Sequence, residues 1–185
     1  MSFFSRIGQA LRSALRSTQK PPAQRPTGAR PQSGKPGADR TDLAPSPGQA
    51  GLSATVEVDP RSVGPVRMAY SPSRDGAPDP GEVVWTWVPF EERDGRGKDR
   101  PVLVVAVERA GTFLAVQLTS KPHQGNAEFV AIGSGAWDSA GRPSWVNIDR
   151  VFRLHAQGMR RETAGLPAPA FAAVESRLRQ RYGWR

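Results

Sequence analysis

Cysteine is absent from the 185 residues and histidine occurs only twice. The first absence excludes disulfides and thiolate metal ligands, and the second leaves too few imidazoles for a histidine-based zinc site. No metal and no cofactor is implied. Any run of about 18 apolar residues is also missing, as are the apolar segment and small-residue cleavage site of a secretory leader. On those grounds the chain reads as a cytoplasmic protein. It carries no internal repeat.

Proline and glycine, by contrast, are plentiful, at 18 and 19 residues, and unevenly spread. The formal charge is +9 and the pI near 11.1, a balance that suits a polyanionic partner. Before Ala77 stand 11 Lys/Arg against 5 Asp/Glu, so most of the excess belongs to the front of the chain. There, Phe3, Phe4, Ile7, Leu11, Ala14 and Leu15 recur at helical spacing with Arg6, Arg12 and Arg16 off the stripe. This predicts a basic amphipathic helix over 1–17. Such a helix suits an anionic membrane surface, which would place the protein at the inner membrane face, or a groove on a partner protein. It equally fits a helix resting weakly on its own domain. From 18 to 77, Pro, Gly, Ser, Ala, Gln and Arg dominate, and the expectation is a disordered linker. Two apolar islands, 54–58 and 63–70, are too short to be read as elements.

From about residue 78 the pattern changes to that of a folded domain reaching 185. Strands are expected over 82–88, 101–107, 112–118, 127–132 and 144–148, where β-branched and aromatic residues alternate or run together between turn residues. A charged, glycine-containing loop separates the first two. Near the end, Phe171, Val174, Leu178 and Tyr182 share one helical face, Pro169 suits a first turn and Gly183 a stop. Many short strands followed by one helix predict a mainly β fold, a small antiparallel barrel closed by a C-terminal helix.

The residues that point to chemistry sit at strand ends. Gly97, Lys98, Asp99 and Arg100 lead into Pro101, Val102, Leu103, Val104 and Val105, and Val116, Gln117 and Leu118 lead to Thr119 and Ser120. In this arrangement residues 78–185 resemble the MazF/PemK family of toxin endoribonucleases of type II toxin-antitoxin systems. The resemblance implies an SH3-like antiparallel barrel and metal-independent cleavage of single-stranded RNA, in which a ribose 2′-hydroxyl attacks the adjacent phosphate. RNA rather than DNA follows because the substrate supplies the nucleophile.

Carried over by position, the resemblance implies that Arg100 stabilises charge on the phosphate, Thr119 orients it and Asp149 or another group moves the proton. Ser120 and Lys121 then bind RNA beside Thr119, and Arg93, Arg96 and Lys98 of the charged loop suit backbone phosphates. Trp85, Trp87 and Phe90 are candidates for base stacking. Where family members have glutamine after the acidic residue, this chain has Arg150, and His123 and His155 match no family position. A homodimer and an antitoxin peptide are the implied protein partners.

Read without the family, the same residues have plainer accounts. Arg100 begins a strand, Thr119 caps a strand end, Asp149 pairs with Arg150 or Arg153, and the loop is solvated. The alternative function is therefore a catalytically inactive barrel that binds RNA or a peptide, tethered to a membrane by residues 1–17.

Overall fold

Strand β2 (Glu82–Pro89) shows how the domain is built, because its side chains alternate between two cores. Val83 packs into one, Val84 and Val88 into the other. The computed structural model describes residues 45–73 and 76–185. These form strands β1 (Val56–Val58), β2, β3 (Gly97–Val107), β4 (Phe113–Thr119), β5 (Phe129–Gly133), β6 (Ser144–Leu154) and β7 (Arg160–Gly165), then helix α1 (Ala168–Tyr182). All pairings are antiparallel, in the order β1-β6-β4-β3-β2-β7, with β5 also on β6. The expected class, a mainly β SH3-like barrel with a C-terminal helix, is the one found.

The larger core lies between one face of the sheet and α1. Val83, Leu103, Val116, Leu118, Ile148 and Val151 meet Phe171, Val174 and Leu178 there. A register shift between Val104 and Ala106 turns both Val105 and Ala106 into this core, as a bulge must when it adds a residue to one strand. Val84, Val102, Val104, Ala115, Phe152 and Met159 form the smaller core on the opposite face. Gly183 ends α1 in a left-handed conformation at φ 71, its N–H reaching Arg179 O.

The expected boundary at 78 is corrected. Residues 45–73, assigned above to the disordered linker, are part of the domain. Strand β1 pairs with β6, Glu57 facing Phe152. Val66 and Met68 are buried in the larger core, and their backbone exchanges hydrogen bonds with Arg185 (Met68 N to Arg185 O 2.6 Å, Arg185 N to Val66 O 2.9 Å). Tyr70 donates to Leu166 O at 2.8 Å and packs on Phe171. A few apolar anchors at roughly 1.5–3 kcal/mol each suffice when the backbone between them is also hydrogen-bonded. The helix expected over 1–17 and the linker over 18–44 lie outside the described residues. Among the described residues no helix is long and apolar enough to cross a membrane.

Candidate functional site

The site is organised by a second, wider irregularity. Across β4 and β6, Val116 faces Val151 but Gln117 faces Asn147, so Ile148, Asp149 and Arg150 bulge from a single step of the ladder. Three backbone groups of the bulge have partners. Ile148 N–H donates to Glu128 O at 2.9 Å, Tyr182 of α1 donates to Ile148 O at 2.9 Å, and Asp149 N–H donates to Asn147 Oδ1 at 2.9 Å. Ile148 turns into the core while Asp149 is exposed and Arg150 half-buried.

Two clefts flank the bulge. One, of about 590 Å³, is lined by Glu57, Arg93, Glu128, Phe129, Asn147 and Asp149; the other, of about 370 Å³, by Phe90, Glu92, Arg96, Arg100 and Gln117. Both are also lined by Glu91 and Arg150, so these two residues form the ground between them. Arg100 pairs with Thr86 on β2 and so shares the sheet face of Val102 and its partner Gln117. Continuing that register by two residues places Thr119 on the same face, at the adjoining strand end.

The carboxylate of Asp149 accepts through Oδ1 from Arg181 of α1, a partner that sequence reasoning did not propose. The candidates it did propose are engaged elsewhere. Arg153 forms a paired contact with Glu108 (2.6 and 2.7 Å). Arg150 donates from Nε and Nη2 to Glu57 (3.2 and 2.7 Å) and from Nη2 to Pro89 O (2.8 Å), and its guanidinium lies 5.0 Å from the Phe152 ring centre. Hydrogen bonds to Tyr182 and Asp149 hold the Arg181 guanidinium above its ordinary value.

The remaining expected residues divide. Arg93 and Arg96 reach the clefts, Arg93 lying 3.7 Å from Glu57 and Arg96 bonded to Asp94 at 2.6 Å. Lys98 is exposed and faces the same side as Arg100. The Thr119 hydroxyl accepts from Lys121 N–H at 3.2 Å, so it caps the strand end while remaining half-exposed. Ser120 is half-buried and Lys121 exposed at that turn. Phe90 lines the Arg100 cleft. Trp85 and Trp87, alternating with Thr86, belong to the opposite face, and their candidacy for base stacking in this groove is withdrawn.

Sequence reasoning missed Glu57, Asn147, Gln117 and the Phe129 wall, on which His123 stacks with ring centres 3.6 Å apart. Only Glu57 had a signal, the alternation of Val56, Glu57 and Val58. Among the described residues no three His, Asp or Glu side chains are arranged to hold a metal ion.

A family profile described as PemK-like, MazF-like toxin of type II toxin-antitoxin system matches residues 79–182. Among solved structures the chain is similar to a MazE-MazF complex (Form-II) from Deinococcus radiodurans, with 24% identity, a TM-score of 0.44, and 58% of this chain and 96% of that chain covered. It is likewise similar to MazF (Form-I) from the same organism, with 26% identity, a TM-score of 0.44, and 58% and 97% covered. No curated protein matches.

Proposed function

Because the chain belongs to the PemK-like, MazF-like toxins of type II toxin-antitoxin systems, on a match spanning more than half its length, we propose that it is an endoribonuclease whose RNA lies along the two clefts joined by Arg150. The observation that carries this reading is that the Arg100 cleft and the Asp149 cleft adjoin, with Glu91 and Arg150 lining both. A guanidinium there supplies planar, permanently charged donors to a phosphate that gains charge in the transition state.

In the proposed reaction the 2′-oxygen forms a bond to phosphorus as the bond from phosphorus to the 5′-oxygen breaks. Arg100 stabilises the pentacoordinate phosphate and the Thr119 hydroxyl orients it. Asp149 Oδ1 is held by Arg181, which leaves Oδ2 to receive the 2′-proton, and the departing 5′-oxygen takes its proton from water. Arg93, Arg96 and Lys98, with Ser120 and Lys121 at the adjoining strand end, bind flanking phosphates. No metal enters this scheme, since nucleophile and charge stabilisation come from substrate and side chains. A cognate antitoxin that blocks the groove and a homodimeric assembly belong to the same proposal.

One observation favours a second reading, binding without cleavage: the Asp149 carboxylate is paired through Oδ1 with the Arg181 cation, and a neighbouring cation makes a carboxylate a weaker base. A single experiment separates the two. The full chain, wild type beside Arg100→Ala, is incubated with a long single-stranded RNA in EDTA, and ends are mapped by primer extension. Discrete cuts that vanish in the variant are expected. Intact RNA, from folded protein free of inhibitor, would refute the nuclease and leave the binding module.

A further inference from the structure

Arg150 is held in a manner that its surroundings do not require for stability alone. Of its five N–H groups, three are used on Glu57 and on Pro89 O. The two on Nη1 make no hydrogen bond among the described residues, and the exposed Glu91 lies 4.0 Å from Nη1. The guanidinium rests over Phe152, its side chain 11% exposed and that of Glu57 17%. A half-buried ion pair roughly offsets its own desolvation, so its retention is weak evidence for a purely structural role. What the arrangement does achieve is a fixed pair of donors on the ground common to both clefts.

Glu57 comes from outside the matched residues 79–182. Strand β1 sets it opposite Phe152, on the sheet face of the smaller core, and so aims its carboxylate at Arg150. We propose that Glu57 is a positioning residue: it holds Arg150 so that Nη1 donates to a phosphodiester oxygen of the RNA next to the one that is cut. An RNA strand running from the Arg100 cleft to the Asp149 cleft passes Arg150, which lines both, and the offset of charge by Glu57 makes this a contact of geometry more than of net charge. The inference rests on the ribonuclease reading above and names a further residue of the same site.

The test uses the full chain and two readouts, steady-state cleavage of single-stranded RNA and affinity for a mixed-sequence 2′-O-methyl RNA, which cannot be cut. Arg150→Ala and Glu57→Ala are each expected to raise KM and Kd about tenfold or more while kcat stays within about twofold, and the double variant should lose no more than either single one. Glu57→Asp should recover part of the loss. The charge-reversed pair, Glu57→Arg with Arg150→Glu, should regain the melting temperature but not KM or Kd, since a carboxylate then faces the phosphate.

Recovery of KM and Kd together with the melting temperature in that reversed pair would reduce the contact to a structural one and overturn the inference. So would wild-type Kd in a folded Glu57→Ala, or tighter binding, which would make Glu57 an inhibitor of Arg150. If wild type binds RNA without cutting it, the nuclease reading fails while Kd still judges Glu57. If it does not bind, both fail.

Discussion

The Thr55 hydroxyl donates to that of Thr86 across 2.6 Å, because Thr86 spends its own proton on Gly158 O, also at 2.6 Å. Thr86 is fully buried and Thr55 nearly so. This chain of hydroxyls fastens the segment before the family domain to the strand residue that pairs with Arg100. Thr55→Val is expected to cost about 1 kcal/mol, the worth of one ordinary hydrogen bond, whereas Thr86→Val, which leaves Gly158 O and the Thr55 hydroxyl unpaired, should cost about 1–3 kcal/mol. Urea unfolding midpoints should fall in that order, and equal midpoints would show that the segment contributes nothing.

Gly48 gives a sharper test of the same docking. Its φ is +80, and a Cβ there would stand 2.3 Å from Thr86 Oγ1, 2.5 Å from Thr55 Oγ1 and 2.6 Å from Gly158 O. Gly48→Ala combines backbone strain with overpacking of the hydroxyl chain, and a loss of about 2–4 kcal/mol is expected. A variant as stable as wild type would mean that residues before β1 do not pack as described.

Acid should weaken the domain partly through Glu108. Its paired contact with Arg153, aided by the Thr112 hydroxyl at 2.7 Å, holds the carboxyl below its ordinary value of 4.5. A carboxyl lowered in the folded state stabilises above its unfolded value, and that contribution is lost as pH falls through the folded value. Glu108→Gln should therefore be less stable than wild type at neutral pH. The gap should close as the pH is taken below about 4.5. Melting temperatures of both proteins across that range check the sign, and a gap that widened in acid would refute it.

Much of this architecture could be read from the residues, for physical reasons that also explain the failures. Strands β2, β3 and β4 bury both faces or alternate cleanly, so their apolar pattern announces them. Strand β6 was expected to end at 148 because the bulge at Ile148, Asp149 and Arg150 breaks the alternation that continues at Val151 and Phe152. Strand β7, reading Arg160, Arg161, Glu162, Thr163, Ala164 and Gly165, shows no such pattern, since its place is fixed by pairing with β2. Arg100 was singled out through the family resemblance, since its place before an apolar strand alone reads as a strand start. Glu57 was not, because a carboxylate in a three-residue strand gains meaning only when the fold brings Arg150 to it.

The last turn of α1 governs how the bulge presents Asp149. Tyr182 donates to Ile148 O, and burial pushes its hydroxyl above the ordinary value of 10.0, so it remains a donor throughout the neutral range. Tyr182→Phe should cost about 1 kcal/mol and loosen the bulge. Arg181→Ala removes a half-exposed ion pair and should change stability by less than about 1 kcal/mol, yet it frees the carboxylate that the proposed reaction uses. If Asp149 accepts the 2′-proton from a fixed position, Arg181→Ala should lower kcat with little change in KM, and Arg181→Lys should recover part of it. Asp149→Asn should cost about 10²–10⁴ in kcat. A folded Asp149→Asn that cuts RNA at the wild-type rate would remove Asp149 from the reaction and leave Arg181 as a brace for the bulge alone.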